Sequence, residues 1–291
     1  MITDIMENPP FNEQEILYRV SQVADLPPLP LALQRLLQMV QHEIGSLKDL
    51  EKVIRYDQAL SARILRLANS AFFGCRGKTN TLARALILIG LEQAKRICLC
   101  ALLLELFSSG TILEPQERER IWKHAFATAR MASEVAAKRR WVSPDEAYLL
   151  GLLHDLGKLI MALHFREHYQ AISELARHRK VPTWCVESEY GMSHAVIGKW
   201  VAVKWSFPEV FHKVIEFHHH PDRSPTFKSE VKLIHLANVL VISREHPELL
   251  TDARTLDCCR DLFVTEDEWN GYQARMELIW PEVDQFWALL V

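Results

Sequence analysis

The sequence predicts an all-α protein, a helical bundle made of two packed helical subdomains. Three observations predict it. Apolar residues recur at intervals of three and four almost throughout, the spacing that lines one face of a helix. No stretch alternates strictly between apolar and polar residues, so no significant sheet is expected. Gly is 10 and Pro 13 in 291 residues, too few for a loop-rich β-sandwich. At roughly 100–200 residues per domain, the length allows two compact units.

The elements follow in chain order. Leu26-Pro27-Pro28-Leu29-Pro30 cannot be helix interior, because proline lacks an amide hydrogen and clashes with the preceding turn; it reads as an extended lead-in. Leu29, Leu33, Leu36, Leu37 and Val40 then form the stripe of a first helix. Ser46 starts a second, its hydroxyl able to cap free amides with Asp49 three residues on. Leu47, Leu50, Val53 and Ile54 are its apolar face. A third runs from about Leu60 to Asn69, with Leu60, Ile64, Leu67 and Ala68 inward and Phe72-Phe73-Gly74 closing it. Thr81 caps a fourth that reaches Gly90, and a fifth covers Glu92 to Phe107.

Ser108-Ser109-Gly110 and the polar stretch after it mark an internal boundary. A long helix is expected at about Gln116 to Arg139. Ser143-Pro144-Asp145-Glu146 is a strong helix start, with Ser as cap and Pro in the first turn, and that helix should run through Leu163. Further helices are expected at 166–179, 183–190, 194–204, 208–217 and 229–244, with Pro247 beyond the last and acidic helical segments to the end. The expected organisation is an acidic segment over 1–19, helical subdomains over 20–108 and 115–245, and an acidic helical tail over 246–291.

Composition limits the function. Hydrophobic residues at 49% and charged residues at 24% exclude a disordered chain. The formal net charge of −3 argues against an electrostatic nucleic-acid binder, although the ends are acidic and residues 21–250 sum to +6. The cysteines form no C-x-x-C pair; Cys98 and Cys100 lie in an apolar run and read as small core residues. Ala85 to Phe107 is interrupted by Glu92, Lys95 and Arg96, so no membrane span is expected. No secretory leader is visible, and a cytoplasmic protein with reduced thiols is expected.

The 13 histidines carry the chemistry. His154-Asp155 lies in Gly151-Leu152-Leu153-His154-Asp155-Leu156-Gly157-Lys158, an otherwise apolar helix. A buried imidazole and carboxylate cost free energy unless they pair or ligate a cation. Together they suit a divalent metal of intermediate hardness. His124 sits on the preceding long helix; His194 and the run His218-His219-His220 follow. His164 and His168 are four apart but lie among polar neighbours, and His235 is assigned nothing. Any one histidine alone reads as an ordinary hydrogen-bonded residue. Gathered in one core, His124, His154, Asp155, His194, His218 and His219 would form a shared metal or polar site.

In this order of histidines the chain resembles the HD superfamily of metal-dependent phosphohydrolases, and the extended set is similar to its HD-GYP subgroup. The N-terminal half narrows the resemblance. Leu26-Pro27-Pro28-Leu29-Pro30, Asp57-Gln58-Ala59-Leu60, Leu67-Ala68-Asn69-Ser70-Ala71-Phe72-Phe73-Gly74 and Ala85-Leu86-Ile87-Leu88-Ile89-Gly90-Leu91 together look like the HDOD domain, the HD-related output domain of bacterial signalling proteins. The resemblance covers about residues 20–245. It implies a signalling output or regulatory module with a protein partner or small nucleotide ligand. It also implies a stand-alone form, since no receiver-like segment is seen.

Two departures bear on activity. Asn238 stands where the hydrolases carry an Asp on a late helix, which replaces a charged ligand by a neutral, weaker one. The Gly-Tyr-Pro signature of cyclic-dinucleotide phosphodiesterases is absent after His218-His219. The resemblance therefore implies one or two ions of iron, manganese or zinc, or none if His–Asp hydrogen bonds satisfy the cluster. Efficient hydrolysis is not expected. The alternative is a metal-dependent phosphohydrolase acting on a nucleotide or cyclic dinucleotide, in which Lys158, otherwise a surface lysine, would neutralise a phosphate oxygen.

Overall fold

The computed structural model of the chain describes residues 13–21, 28–41, 44–70, 78–107, 114–139 and 142–290. Every regular element among them is a helix, and no strand occurs. In chain order these are α1 (Glu13–Ser21), α2 (Leu31–Gln41), α3 (Leu47–Ile54), α4 (Gln58–Ala68), α5 (Leu82–Ile89), α6 (Leu91–Leu106), α7 (Pro115–Ala137) and α8 (Pro144–Leu153). There follow α9 (Leu156–His164), α10 (Arg166–Arg179), α11 (Trp184–Glu187), α12 (His194–Lys204), α13 (Glu209–Phe217), α14 (Lys228–Ile242), α15 (Ala253–Asp261) and α16 (Glu266–Leu290). The chain divides into two compact units, Pro27–Thr111 with Asp284–Val291, and Met1–Leu26 with Ile112–Val283.

In the smaller unit the expected stripe is buried: Leu29, Leu33, Leu36, Leu37 and Val40 all face the core. Ser46 and Asp49 form a reciprocal capping box, and Leu50 and Ile54 are the buried residues of α3. The next helix begins at Gln58, slightly earlier than expected. The reason is Asp57, whose carboxylate accepts the Leu60 N–H at 2.9 Å and so acts as the cap. Thr81 caps α5. Gly90, at φ 84° and ψ 156°, joins α5 directly to α6 in a backbone region open almost only to glycine. Helix α6 is buried from Ala94 to Leu104 except at Arg96, with Cys98 and Cys100 in the core. Asn69 ties two segments together: its amide donates to the carbonyls of Leu65 and Thr79, 2.8 Å each, and accepts the Thr79 N–H at 2.7 Å. Pro28–Pro30 is non-helical; Leu26-Pro27, Phe72-Phe73-Gly74 and Ser108-Ser109-Gly110 lie outside the described residues.

In the larger unit α7 packs on α8 and α14, α9 on α12, and α12 on α13. Ser143 caps α8 as expected, its hydroxyl accepting the Glu146 N–H. The helix does not run through Leu163. It ends at Leu153, and His154 and Asp155 form a turn before α9. Asp155 leaves helical dihedrals (φ −100°, ψ 20°). The carbonyls released by the break find new donors: Gly151 accepts from the His154 ring, and Asp155 from the Lys158 N–H. The helix expected at 183–190 is a short α11 followed by a 3-10 turn over Ser188–Tyr190, which Gly191 ends at φ 60°. Arg275 pairs with Glu134 and Glu282, and Arg139 with Glu268, which fastens residues of α16 to the end of α7. No single described helix is long and apolar enough to cross a membrane.

Candidate metal centre

Four stretches of the larger unit deliver side chains to one place. His124 comes from the middle of α7, and His154 and Asp155 from the break between α8 and α9. His194 opens α12, behind the cap Ser193; His218 and His219 follow the last residue of α13. All six residues expected from the sequence come together, and all but His124 are buried.

Asp155 stands at the centre and divides its oxygens. Oδ2 lies 3.1 Å from His124 Nε2 and 3.3 Å from His154 Nε2. Oδ1 lies 3.2 Å from His194 Nε2 and 3.5 Å from His218 Nε2. His219 Nε2 is 3.1 Å from His194 Nε2. Two groups result, His124/His154/Asp155 and Asp155/His194/His218/His219, in each of which the ligand atoms lie within 4.8 Å of one another.

Glycines allow the helices to come this close. A Cβ on Gly157 would lie 1.8 Å from the His194 carbonyl oxygen, so only glycine lets α9 meet the first turn of α12. Gly198 lies against the same seam, 2.9 Å from the Gly157 nitrogen to its would-be Cβ. A Cβ on Gly151 would lie 2.8 Å from Ala129 Cα, which brings α8 against α7 and His154 beside His124.

The outer partners fix where the protons are. His154 Nδ1 donates to the Gly151 carbonyl at 2.7 Å, and His218 Nδ1 to the Ile215 carbonyl at 2.9 Å. A carbonyl can only accept, so these nitrogens carry the hydrogens and, in the neutral rings, Nε2 presents a lone pair. His194 Nδ1 lies 2.5 Å from Glu187 Oε1, with the same consequence, and Glu187 also accepts the His194 N–H at 2.9 Å. In the neutral rings, bare nitrogens therefore face one another at 3.4 Å (His194 and His218), and His154 turns its bare Nε2 toward His124 Nε2 at 3.2 Å. Buried Asp155 Oδ1 accepts no hydrogen bond. Lone pairs and a carboxylate pointed at a common centre fit a cation, which removes their repulsion.

Burial and the buried carboxylates pull the rings in opposite directions. Burial drives His124 down to about 4 and His218 to about 3, with Asp155 opposing in both cases. Burial and the neighbouring His218 and His194 hold His219 well below the usual imidazole range. Burial would lower His194 too, but the Glu187 and Asp155 carboxylates outweigh it and its value rises. Burial would raise Asp155; His154, Lys158 and His124 overcome this and hold it well below the ordinary carboxylate value.

Several readings change. Lys158 is not a surface lysine: its side chain is 17% exposed and its ammonium donates to Asp155 Oδ2 at 2.7 Å. His164 and His168 fall on different helices, α9 and α10, and share no helix face. Asn238 is buried in α14, its Oδ1 without a hydrogen-bond partner. Three contributors were not singled out from the sequence. Glu187 orients His194. Trp184 stacks on His219, ring centroids 3.9 Å apart at 19°. His235 is buried and holds the His218 carbonyl at 2.8 Å. The one available signal was Glu187 itself, an acid beside the apolar Cys185-Val186 pair.

The family model for the HDOD domain matches residues 26–221. A curated, uncharacterized protein of Treponema pallidum (strain Nichols) is 27% identical over 225 residues, which is 76% of this chain and 43% of that protein; the chain thus spans less than half the length of that relative. Among solved structures, an HDOD domain protein of unknown function from Geobacter sulfurreducens superposes with a TM-score of 0.78 at 20% identity, over 94% of this chain and 99% of that one. A protein from Shewanella amazonensis SB2B, named as a candidate phosphohydrolase, gives 0.71 at 23% identity over 95% and 98%. At these identities the superpositions show the fold.

Proposed function

Because the chain belongs to the HDOD family, we propose that it is a signalling output module that keeps a histidine–carboxylate metal centre in its core. The observation that carries this reading is the group Asp155, His194, His218 and His219. It offers four protein ligands, enough to complete a tetrahedral site, and every one of them is buried. Sites closed by four protein ligands are structural; catalytic sites keep a position open for water or substrate. The mixed N and O donors suit iron, manganese or zinc. A second ion would be held by His124, His154 and Asp155. Bound in this way, an ion supplies positive charge and Lewis acidity to the core. On this reading the module works in a bacterial cytoplasm and passes its signal to a protein partner or takes a small nucleotide as ligand. Its formal net charge of −3 does not favour nucleic acid.

A metal-dependent phosphohydrolase is the second reading. It is favoured by the other group, which has three protein ligands, a half-buried His124 and the Lys158 ammonium beside the carboxylate. Such a group leaves a position open, and Lys158 would bind an anionic phosphate oxygen. Against it stands Asn238 in place of a charged ligand.

Elemental analysis of the purified chain, followed by a screen of the same sample against phosphodiesters including cyclic dinucleotides, separates the readings. The expected result is bound metal with no turnover above that of His154→Ala and Asp155→Ala. Turnover that scales with metal content and is lost in both variants would replace the first reading by the second.

A further inference from the structure

Residues 222–291 lie beyond the stretch matched by the family model, yet they reach the centre from outside. The two adjacent histidines of the closed group are held through their main-chain carbonyls. His235 on α14 donates its Nδ1 hydrogen to the His218 carbonyl at 2.8 Å. The other ring nitrogen of His235, Nε2, faces Thr255 Oγ1 on α15 at 3.4 Å. The preceding residue of α15, Arg254, donates from Nη1 to the His219 carbonyl at 3.1 Å and sets its Nε 3.5 Å from Asp222 Oδ1. Consecutive residues of α15 therefore fasten consecutive carbonyls of the His218-His219 pair, one directly and one through His235. These contacts are additional to the ring contacts that His154 and His218 each make with a carbonyl of the preceding helix, Gly151 and Ile215.

We infer that α15 positions the closed group: Arg254 and the Thr255–His235 relay are positioning residues that set His218 and His219 for an ion, and leave the His124/His154 side untouched. The inference rests on the metal reading above. Partners that orient ligands from outside are worth about 10–100-fold in metal affinity. The two carbonyl contacts also fix the peptide between the histidines, which decides whether both rings can face Asp155 and His194 at once.

The test is a manganese(II) titration of the full-length chain, with bound ion read by elemental analysis and equilibrium dialysis. His124→Ala isolates the closed group, and the double change His194→Ala/His219→Ala isolates the other. In the His124→Ala background, adding Arg254→Ala or His235→Ala should weaken the remaining ion about 10–100-fold. In the His194→Ala/His219→Ala background the same changes should leave affinity within twofold. Arg254→Lys, which keeps a donor, and His235→Asn, whose amide replaces Nδ1, should restore most of the affinity. Thr255→Val, nearly isosteric, should give a smaller loss and serves if His235→Ala does not fold. Equal weakening in both backgrounds, or none in either, overturns the positioning role while the metal reading stands. If the unmodified chain binds no ion, both readings fall.

Discussion

Glu187 shows how much the centre depends on residues that touch no ligand position. It is buried, its carboxylate faces His194 Nδ1 and accepts the His194 main-chain N–H, and it thereby selects the ring orientation in which Nε2 faces Asp155. Replacement by Gln keeps the shape but can present an amide N–H to Nδ1. The imidazole is then free to carry its hydrogen on Nε2, where a cation needs a lone pair. Glu187→Gln should weaken metal binding about 10–100-fold with little change in helix content, read by dialysis and circular dichroism. The residue types of the centre were legible in the sequence because an imidazole beside a carboxylate in an apolar run requires compensation. Glu187 and His235 were not, because their importance lies in what they face, seven and seventeen residues away in chain order from His194 and His218. Lys158 was misjudged for the same reason: a lysine reads as solvated until a buried carboxylate stands beside it.

At the scale of elements, helix positions followed from apolar spacing and caps, since both are local. The break at His154-Asp155 did not. Leu152-Leu153-His154-Asp155-Leu156 holds no proline or glycine, and periodicity alone continues the helix. The physical reason for the break is tertiary. Gly157 must reach the His194 carbonyl while Gly151 rests on α7, and one straight rod does not serve both contacts. Gly157→Ala places a methyl carbon 1.8 Å from the His194 carbonyl oxygen, far inside van der Waals contact, so α9 and α12 must separate. The expected cost is about 1–3 kcal/mol, the range for overpacking, with the upper end favoured because the obstacle is backbone. A denaturant titration measures it. The separation also carries His194 away from Asp155, so metal affinity should fall with stability. In a mere packing defect stability alone would change.

At the scale of the molecule, the centre joins four distant stretches of the larger unit, from α7 to the end of α13, with further support from α14 and α15. An ion that binds the folded chain and not the unfolded one stabilises it by about 2.7 kcal/mol when free metal exceeds the dissociation constant a hundredfold. For a chain of this size, roughly 2–4 °C of melting temperature follows from each kcal/mol. Calorimetry before and after chelation should therefore show a fall of several degrees that metal restores, and Asp155→Ala should melt at one temperature under both conditions. An unchanged melting point in the unmodified chain would count against an ion in the core. The division into two compact units was not expected to recruit the last residues of α16 into the smaller one; sequence spacing carries no signal for a contact that closes over so long a separation.

Asp155 gives one oxygen to each histidine group. Whatever draws electron density from one side leaves a poorer donor on the other. On the metal reading, occupancy of the two halves would therefore be reciprocal: by thermodynamic linkage, each guest would alter its neighbour's hold by the same factor that it is itself altered. A carboxylate shared in this way would turn metal availability into a graded setting of the protein's interior, and make the half-filled state a distinct condition with its own stability.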